Sequence, residues 1–443
     1  MADIRPLGNV QRTAIRPLDA EAQGSLWAQT AGPATPCAAL RGAHRTAVAV
    51  VGAGYTGLSA ALSLLEHGVD VTVLDAGQPG HGASGRNGGQ VVPALRHEPR
   101  ELSRRFGPEV GGAMTEIAAR SADRVFEVIG RYGIECDGVR TGWLQGARGP
   151  RAIDTMRNRM RAWQDVGGGT RWLDAGEIAR LSGSSYFDGG WMLAGGGSVH
   201  PLKYARGLAR AVQHHGGRIF GDSAVLSLVP QGSRWKLGTA QGEIHADQVV
   251  LATNGYTDDL WPGLKQTVVP LYSMQVASEP LADTSRSRLL PGNQTMTDSK
   301  HLVHYFRKDG DGRFVIGSRG PYTEQPDRSA GERLIRMARR LFPELGGVAF
   351  PYRWAGKVAM TTDHLPHLHR LADGLTAALG YNGRGVAMAT MMGTLLAAVC
   401  SGGKVDPGVR YPVTDMSPIP FHRAHRWGTR AVISYYRALD LIG

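Results

Sequence analysis

The run AVAVVGAGYTGLSAALSLLEHGVDVTVLD, residues 47–75, contains one complete βαβ unit. AVAVV is an uninterrupted apolar stretch, as expected of a strand buried on both faces of a parallel sheet. Gly52, Gly54 and Gly57 follow as G-A-G-Y-T-G, with Tyr55 and Thr56 opening a helix that carries Leu58, Ala61, Leu62 and Leu65 at helical spacing. Gly68 stops that helix, and VTVLD forms the second strand, ending at Asp75 with Ala76 behind it. Each residue type has a physical role. Gly52 permits the tight turn, Gly54 lets the backbone approach a pyrophosphate, and Gly57 lets helix and strand pack closely. The helix N-terminus then faces the phosphates, and Asp75 can accept hydrogen bonds from a ribose. The pattern predicts dinucleotide binding and leaves NAD or FAD open.

Two further glycine-rich stretches decide for a flavin. GASGRNGGQ, Gly82 to Gln90, follows Asp75 too soon for another βαβ unit and reads as a cofactor clamp: Ser84, Arg86, Asn87 and Gln90 can reach a ligand from a backbone loosened by Gly85, Gly88 and Gly89. Near the C-terminus, TAALGYNGRGVAMATMMGTLLAAV passes from a short strand through Gly380, Tyr381, Asn382 and Gly383 into a long apolar helix. The N–H groups of Arg384, Gly385 and Val386 at that helix start can stabilise negative charge on the pyrimidine end of a reduced isoalloxazine, which a nicotinamide enzyme does not need. Between these lie a predicted strand through Val225, able to flank an adenine, and VVLATNGYT, a buried strand entering a turn at Ala252, Thr253, Asn254 and Gly255.

The set of GxGxxG with Asp75, GASGRNGG, ATNG, W-A-G-x-x-x-x-T-x-D-x-x-P from Trp354 to Pro366, and GYNGRGV resembles the D-amino-acid oxidase, sarcosine oxidase and glycine oxidase superfamily of FAD proteins. SLWAQTAG (Ser25 to Gly32), SGRNGGQ, SVHPLKY (Ser198 to Tyr204), YFR (Tyr305 to Arg307) and PIPFH (Pro418 to His422) resemble its gamma-glutamylputrescine oxidoreductase branch. The resemblance implies an α/β fold: a Rossmann-like FAD-binding domain of the glutathione-reductase type with a mixed-sheet α+β substrate domain. Residues 1–45 read as an N-terminal arm on the surface, 46–100, 190–265 and 350–404 as the discontinuous FAD domain, 101–189 and 266–349 as the substrate domain, and 405–443 as a tail and helix docking on the FAD domain.

Chemically the resemblance implies oxidation of a C–N bond: hydride passes from the carbon beside a neutral amine to flavin N5, and water hydrolyses the resulting imine. The expected substrate is an amine or amino acid and the expected acceptor O2, giving H2O2; the alternative is a dehydrogenase using a quinone or other carrier. A partly desolvated site favours the unprotonated amine, because burial lowers an amine's pKa. Lys265 lies near the place of a lysine that promotes oxygen reduction in sarcosine-oxidase-like members, and Lys357, in WAGKVAM, is the second candidate for that role. Tyr272, Met274, His304, Tyr305, Arg307, Trp354 and Tyr381 come from segments the family turns toward the substrate, with Arg307 as the candidate carboxylate clamp. Alternation along a strand leaves the inward face of Tyr272 with Met274, or His304 with Phe306, undetermined. Some relatives tether FAD through a cysteine in the strand pair matching Tyr305 to Gly320; this chain has none there, so dissociable FAD is expected, with His81 the nearest candidate for any link.

Composition excludes other classes. The 443 residues are 20% charged and 42% hydrophobic, as in an ordinary globular enzyme. The net charge of +12 would suit a nucleic-acid binder, but the basic residues are spread along the chain without a block, and no nucleic-acid partner is expected. Cys37, Cys136 and Cys400 have neither disulfide-framework nor zinc spacing. Asp363, His364, His367 and His369 fall around Pro366, which breaks the regular spacing a metal site would need, so no metal is expected. Without a signal-like h-region or a bilayer-length apolar run, the expected location is the cytoplasm.

Overall fold

In the computed structural model, which describes residues 25–34, 36–319, 328–401 and 410–442, the strand Gly42–Val51 sits near the middle of a nine-stranded sheet. It pairs in parallel with Val71–Leu74 on one side and Gly242–Leu251 on the other. Arg218–Phe220 extends the sheet beyond Val71–Leu74, and Leu375–Leu379, His367–Ala372 and Val413–Thr414 extend it beyond Gly242–Leu251. An antiparallel pair, Ser227–Gln231 and Arg234–Gly238, branches from Gly242–Leu251. Both faces of the central strand are buried, which is why it reads as a continuous apolar run. Val48 and Val50 join one core with the helix Tyr55–Glu66 and the apolar helix Gly385–Cys400, while Ala49 and Val51 join the other.

A second, eight-stranded sheet runs in the order Tyr352–Met360, Val269–Pro280, Arg313–Arg319, His304–Lys308, Thr295–Asp298, Trp143–Ala147, Gly189–Leu193, Thr170–Leu173. All pairings are antiparallel except Thr295–Asp298 with Trp143–Ala147. One face packs on the helix Arg328–Leu341 through Met274, Val276, Phe306 and Phe314, with Phe342, just past the helix, in the same cluster. The expected α/β class with a mixed second sheet is therefore what the chain builds.

The segment boundaries differ from the sequence reading at both crossovers. Residues 352–360 pair in continuous register with Val269–Pro280, from Val269 opposite Met360 to Ala277 opposite Tyr352, so backbone hydrogen bonding carries them into the second sheet. Gly189–Leu193 does the same between Trp143–Ala147 and Thr170–Leu173. Residues 1–24 lie outside the described part, but 25–30 are no surface arm. Ser25 caps a short helix by accepting from the Ala28 N–H, and Leu26 and Trp27 are fully buried. The C-terminal helix His425–Ile442 makes its specific contacts with the second domain: the Asp440 carboxylate accepts from the backbone N–H groups of His301 and Leu302, and Tyr436 stacks on the His301 ring at 5.3 Å. Those N–H groups stand just before the strand His304–Lys308 and need an acceptor, which draws the helix there rather than to the first sheet. Among the described residues no helix is long and apolar enough to cross a membrane.

Trp27 joins the two sheets. Its ring lies edge-on to His200 (4.9 Å) and Trp354 (5.7 Å), the Arg307 guanidinium sits 4.9 Å above it, and Nε1 donates to the Asn87 carbonyl at 2.9 Å. Trp27→Ala is expected to lower unfolding free energy by about 3–5 kcal/mol, read from the urea midpoint at unchanged m-value.

Candidate active site

A cavity of about 620 Å³ opens between the two sheets and extends from the first glycine turn to the second domain. Its first end is built by the strand–turn–helix unit. Gly52 adopts φ +114°, and a Cβ on Gly57 would stand 1.9 Å from the Gly52 carbonyl oxygen, so only glycine lets the helix start this close to the strand. Gly52, Gly54, Tyr55 and Thr56 line the cavity there, with Asp75, Ala76, Val225, Ala252, Thr253 and Asn254 around them. Val225 is in irregular backbone before Ser227–Gln231, not inside the expected strand.

Asp75 accepts from the Gly77 N–H at 2.9 Å and the Ala53 N–H at 2.5 Å. Burial nevertheless pushes its carboxyl up to about 6. Ser84 Oγ accepts from the Tyr55 N–H at 2.9 Å, tying the clamp to the helix start.

The clamp and the C-terminal turn form the middle. Ser84, Arg86, Asn87, Gly88 and Gln90 line the cavity, as do Tyr381, Asn382, Gly383, Arg384, Gly385 and Val386. Gly57, Gly85, Gly89, Gly255 and Gly380 stand behind this lining, where they fit backbone against backbone or side chain. Asn382 fixes its turn by accepting the Thr361 N–H at 3.0 Å, and Tyr381 shares a 2.6 Å hydrogen bond with Thr56. The residues fit a dinucleotide carrying a flavin: a glycine turn with close backbone approach, a carboxylate at the end of the second strand, and a second helix start, Gly385–Cys400, facing the same cavity.

The second domain closes the other end, and here the sequence reading divides. Tyr272, Tyr305, Tyr381 and Lys357 line the cavity. The Lys357 ammonium lies 4.6 Å from the Tyr256 ring centroid, and the Tyr305 hydroxyl meets Ser273 at 2.7 Å. Met274 does not reach it: Tyr272 still lines the cavity near the start of the strand, but from Ser273 and Gln275 onward alternation holds, and Met274 between them packs into the core beneath Arg328–Leu341. His304 likewise turns away from Tyr305 and pairs with Asp298 at 2.7 Å. Trp354 is buried and donates to the Arg86 carbonyl at 3.0 Å. Arg307 is no substrate clamp, since its guanidinium is used by the carbonyls of Gly88 (2.8 Å), Val199 (2.8 Å) and Lys308 (3.2 Å). Lys265 is on the surface, paired with Asp259 at 3.1 Å, away from the cavity. In the histidine run, His367 bonds to Asp363 at 3.1 Å and His369 to the Thr414 carbonyl at 3.0 Å.

Sequence reasoning missed Gln145, Thr297, Arg96, Arg159 and Arg319, all on the cavity wall. Arg159 left a readable trace: on the helix Pro150–Gln164 it shares the face of buried Met156, Met160 and Trp163, an unusual place for a guanidinium.

A Rossmann-type sheet with a second helix start over one cavity, closed by a mixed sheet, defines a flavin-dependent oxidoreductase. The chain belongs to the FAD dependent oxidoreductase family (DAO), whose model matches residues 47–399, and its cofactor is FAD. It is similar to the gamma-glutamylputrescine oxidoreductase of Escherichia coli strain K12, at 32% identity over 428 residues, 96% of this chain and 99% of that one. The crystal structure of glycine oxidase from Geobacillus kaustophilus matches with TM-score 0.70 at 22% identity, covering 81% of this chain and 95% of that one. That of L-proline dehydrogenase from P. horikoshii matches with TM-score 0.71 at 20% identity, covering 83% and 98%. The chain is thus an FAD-dependent amine or amino-acid oxidoreductase.

Asp75 gives the site a pH signature. Above about pH 6 the carboxylate is ionised and both oxygens accept; below it one oxygen carries a proton and acceptance of ribose hydroxyls weakens. FAD affinity should therefore be full above about pH 6 and fall as pH drops through it. The fold itself shows the opposite trend, losing stability as pH rises from the ordinary carboxylate range to about 6, because a buried group acquires charge. In Asp75→Asn the FAD dissociation constant, from flavin fluorescence titration, should rise about 10–100-fold and no longer vary between about pH 5 and pH 8.

Proposed function

We propose that this protein oxidises the C–N bond of an amine or amino acid, in the manner of a gamma-glutamylputrescine oxidase, with O2 as electron acceptor. The observation that carries the reading is the single continuous cavity. It joins the dinucleotide end at Gly52 to Thr56 and Asp75, through the Tyr381 to Val386 turn, to an end lined by Tyr272 and Tyr305 with Lys357. FAD, held by the glycine turn, the clamp, Ala252 to Asn254 and the Tyr381 to Val386 turn, supplies the hydride acceptor.

The chain's own residues bind, orient and dry the substrate. Burial pushes the Tyr305 and Tyr381 hydroxyls well above the usual phenol range, so both stay protonated and act as neutral donors or acceptors. A poorly hydrated wall of this kind favours the neutral amine whose neighbouring carbon gives up hydride. The electron pair and one hydrogen leave that carbon as hydride, the resulting iminium gives up one proton from nitrogen, and water hydrolyses the imine to a carbonyl product and ammonia or a smaller amine. Transfer of the two electrons to O2 with two protons gives H2O2. Lys357 is the cation placed to stabilise negative charge developing on oxygen; Lys265, at the surface, has no part. Cys37, Cys136 and Cys400 are not on the cavity wall, in keeping with dissociable FAD, whereas His81 is.

Anaerobic addition of glutamylated amines, polyamines, sarcosine and D-amino acids to the yellow protein should bleach the flavin band with at least one of them; if none bleaches it, the substrate class is wrong. Readmitted air should restore the colour within seconds; slow return marks a dehydrogenase. Lys357→Met should slow that return about 100-fold with the anaerobic step nearly unchanged, while Lys265→Met should match the parent. Acid precipitation should leave the flavin in the supernatant, and colour retained in the pellet would indicate a covalent link.

A further inference from the structure

Four arginines from four separate segments line the same cavity. Arg96 follows the clamp, Arg159 comes from Pro150–Gln164, Arg319 ends the strand Arg313–Arg319, and Arg384 caps Gly385–Cys400. Burial depresses all four, and in Arg159, Arg319 and Arg384 the positive neighbours add to it: Arg159 and Arg319 come down to about 10 and Arg384 falls well below its ordinary value. Arg384 feels the other three, so the four guanidiniums lie within electrostatic reach of one another around the cavity they line.

Among the described residues none of the four makes an ion pair. The Nη1 of Arg96 and the Nε of Arg159 are buried without any hydrogen-bond partner, and Arg159 otherwise reaches only the Leu95 and Arg96 carbonyls, at 3.3 and 3.5 Å. The Arg384 guanidinium lies over the ring of Trp143, on the second sheet, at 5.0 Å. The groups facing the cluster offset little of its charge: Glu98 acts on Arg159 alone, Tyr436 of the C-terminal helix acts on Arg96 and Arg319, and His364 stands near both.

Like charges gathered in a partly dry cavity repel strongly and lose hydration. Each guanidinium presents five N–H donors and carries one positive charge; a single carboxylate, with about four lone-pair sites, can touch several of them but brings one negative charge and so leaves most of the cluster's charge uncompensated. We propose that Arg96, Arg159, Arg319 and Arg384 form a dianion subsite, and that the amine oxidised here carries two carboxylates, both held by this cluster. The proposal rests on the amine-oxidising reading of the cavity and narrows it, since a gamma-glutamylated polyamine offers a single carboxylate and would leave part of the cluster unmatched.

The test uses the FAD-loaded protein and two probes that cannot be oxidised, glutarate and propionate, with the perturbed flavin spectrum giving each dissociation constant. Glutarate should bind about 100-fold more tightly than propionate. Arg159→Gln and Arg319→Gln should each weaken glutarate about 10–100-fold and propionate much less, collapsing the ratio. Equal affinities for the two probes, or a preference for inorganic phosphate over glutarate, would overturn the dicarboxylate assignment. Should either variant lose FAD or fail to fold, the parent protein still decides: glutarate should raise its melting temperature at concentrations where propionate does not. Binding is read without turnover. A protein that binds glutarate in this way but is bleached by no amine loses the amine reading and keeps the dianion subsite. One bleached most efficiently by an amine with one carboxylate or none keeps the amine reading and loses the substrate proposed here.

Discussion

The carbonyls of Arg86, Asn87 and Gly88 are the points on which the site hangs. Each is taken by a side chain from behind the clamp: Arg86 by Trp354 Nε1 (3.0 Å) and Gln275 Nε2 (2.6 Å), Asn87 by Trp27 Nε1 (2.9 Å), and Gly88 by Arg307 Nε (2.8 Å). A glycine-rich loop has little stiffness of its own, and left alone would lose much conformational freedom on ordering. These donors hold it through its backbone, and its own side chains brace it from within: Arg86 Nε donates to the His81 carbonyl at 3.0 Å and Asn87 Nδ2 to the Ala83 and Ser84 carbonyls at 3.1 and 2.9 Å. Three of them come from the second domain's sheet and one from the N-terminal helix, so the cofactor clamp of the first domain is held in shape by parts of the chain distant in sequence.

That dependence explains why the chain interleaves its two sheets. Trp354 and Gln275 sit on adjacent strands, opposite one another in register, and Arg307 lies on a third strand of the same sheet. Were residues 352–360 part of the first sheet, Trp354 would lose its place beside Gln275 and the Arg86 carbonyl one of its two donors. Burial also holds His200 near Trp27 neutral, its imidazole pulled down to about 3 with Arg307 adding to the effect, so the cation over Trp27 is Arg307, braced by carbonyls and an aromatic face. The same guanidinium that resembles a substrate clamp in sequence is structural because its donors are already used.

The three glycine motifs were legible because their chemistry is local: a turn at Gly52, a helix start at Gly54 or Arg384, and an acid at the end of a strand are fixed by residues within a few positions of one another. Which face of a strand points inward is not local. Met274 and His304 fall on the wrong side because the register of Val269–Pro280 and His304–Lys308 is set by their partners, and one residue of offset exchanges the faces. The two lysines divide for a related reason: Lys357 is held by a paired strand at the cavity edge, whereas Lys265 lies in a short 3₁₀ turn that leaves it among surface charges. The arginine cluster was hidden by its assembly from four segments, and only the Met156–Arg159–Met160–Trp163 face hinted at it.

The choice of arginine over lysine in that cluster follows from the same burial. A guanidinium starts from a pKa of 12.5 and, pulled down to about 10 at Arg159 and Arg319, is still charged at neutral pH. A lysine starts two units lower, so an equal depression leaves it a much narrower margin of charge at neutral pH. Guanidiniums therefore keep their charge in this cavity by a wider margin than ammoniums would, and their mutual repulsion is relieved when negative charge enters. Planarity adds a second advantage: Arg384 can lie against Trp143 while its edge donors remain directed into the cavity, which a tetrahedral ammonium could not do. The strong bias of this chain toward arginine, with only seven of its fifty basic residues lysine, thus has a functional consequence at the site, where a fixed positive charge must survive the loss of water.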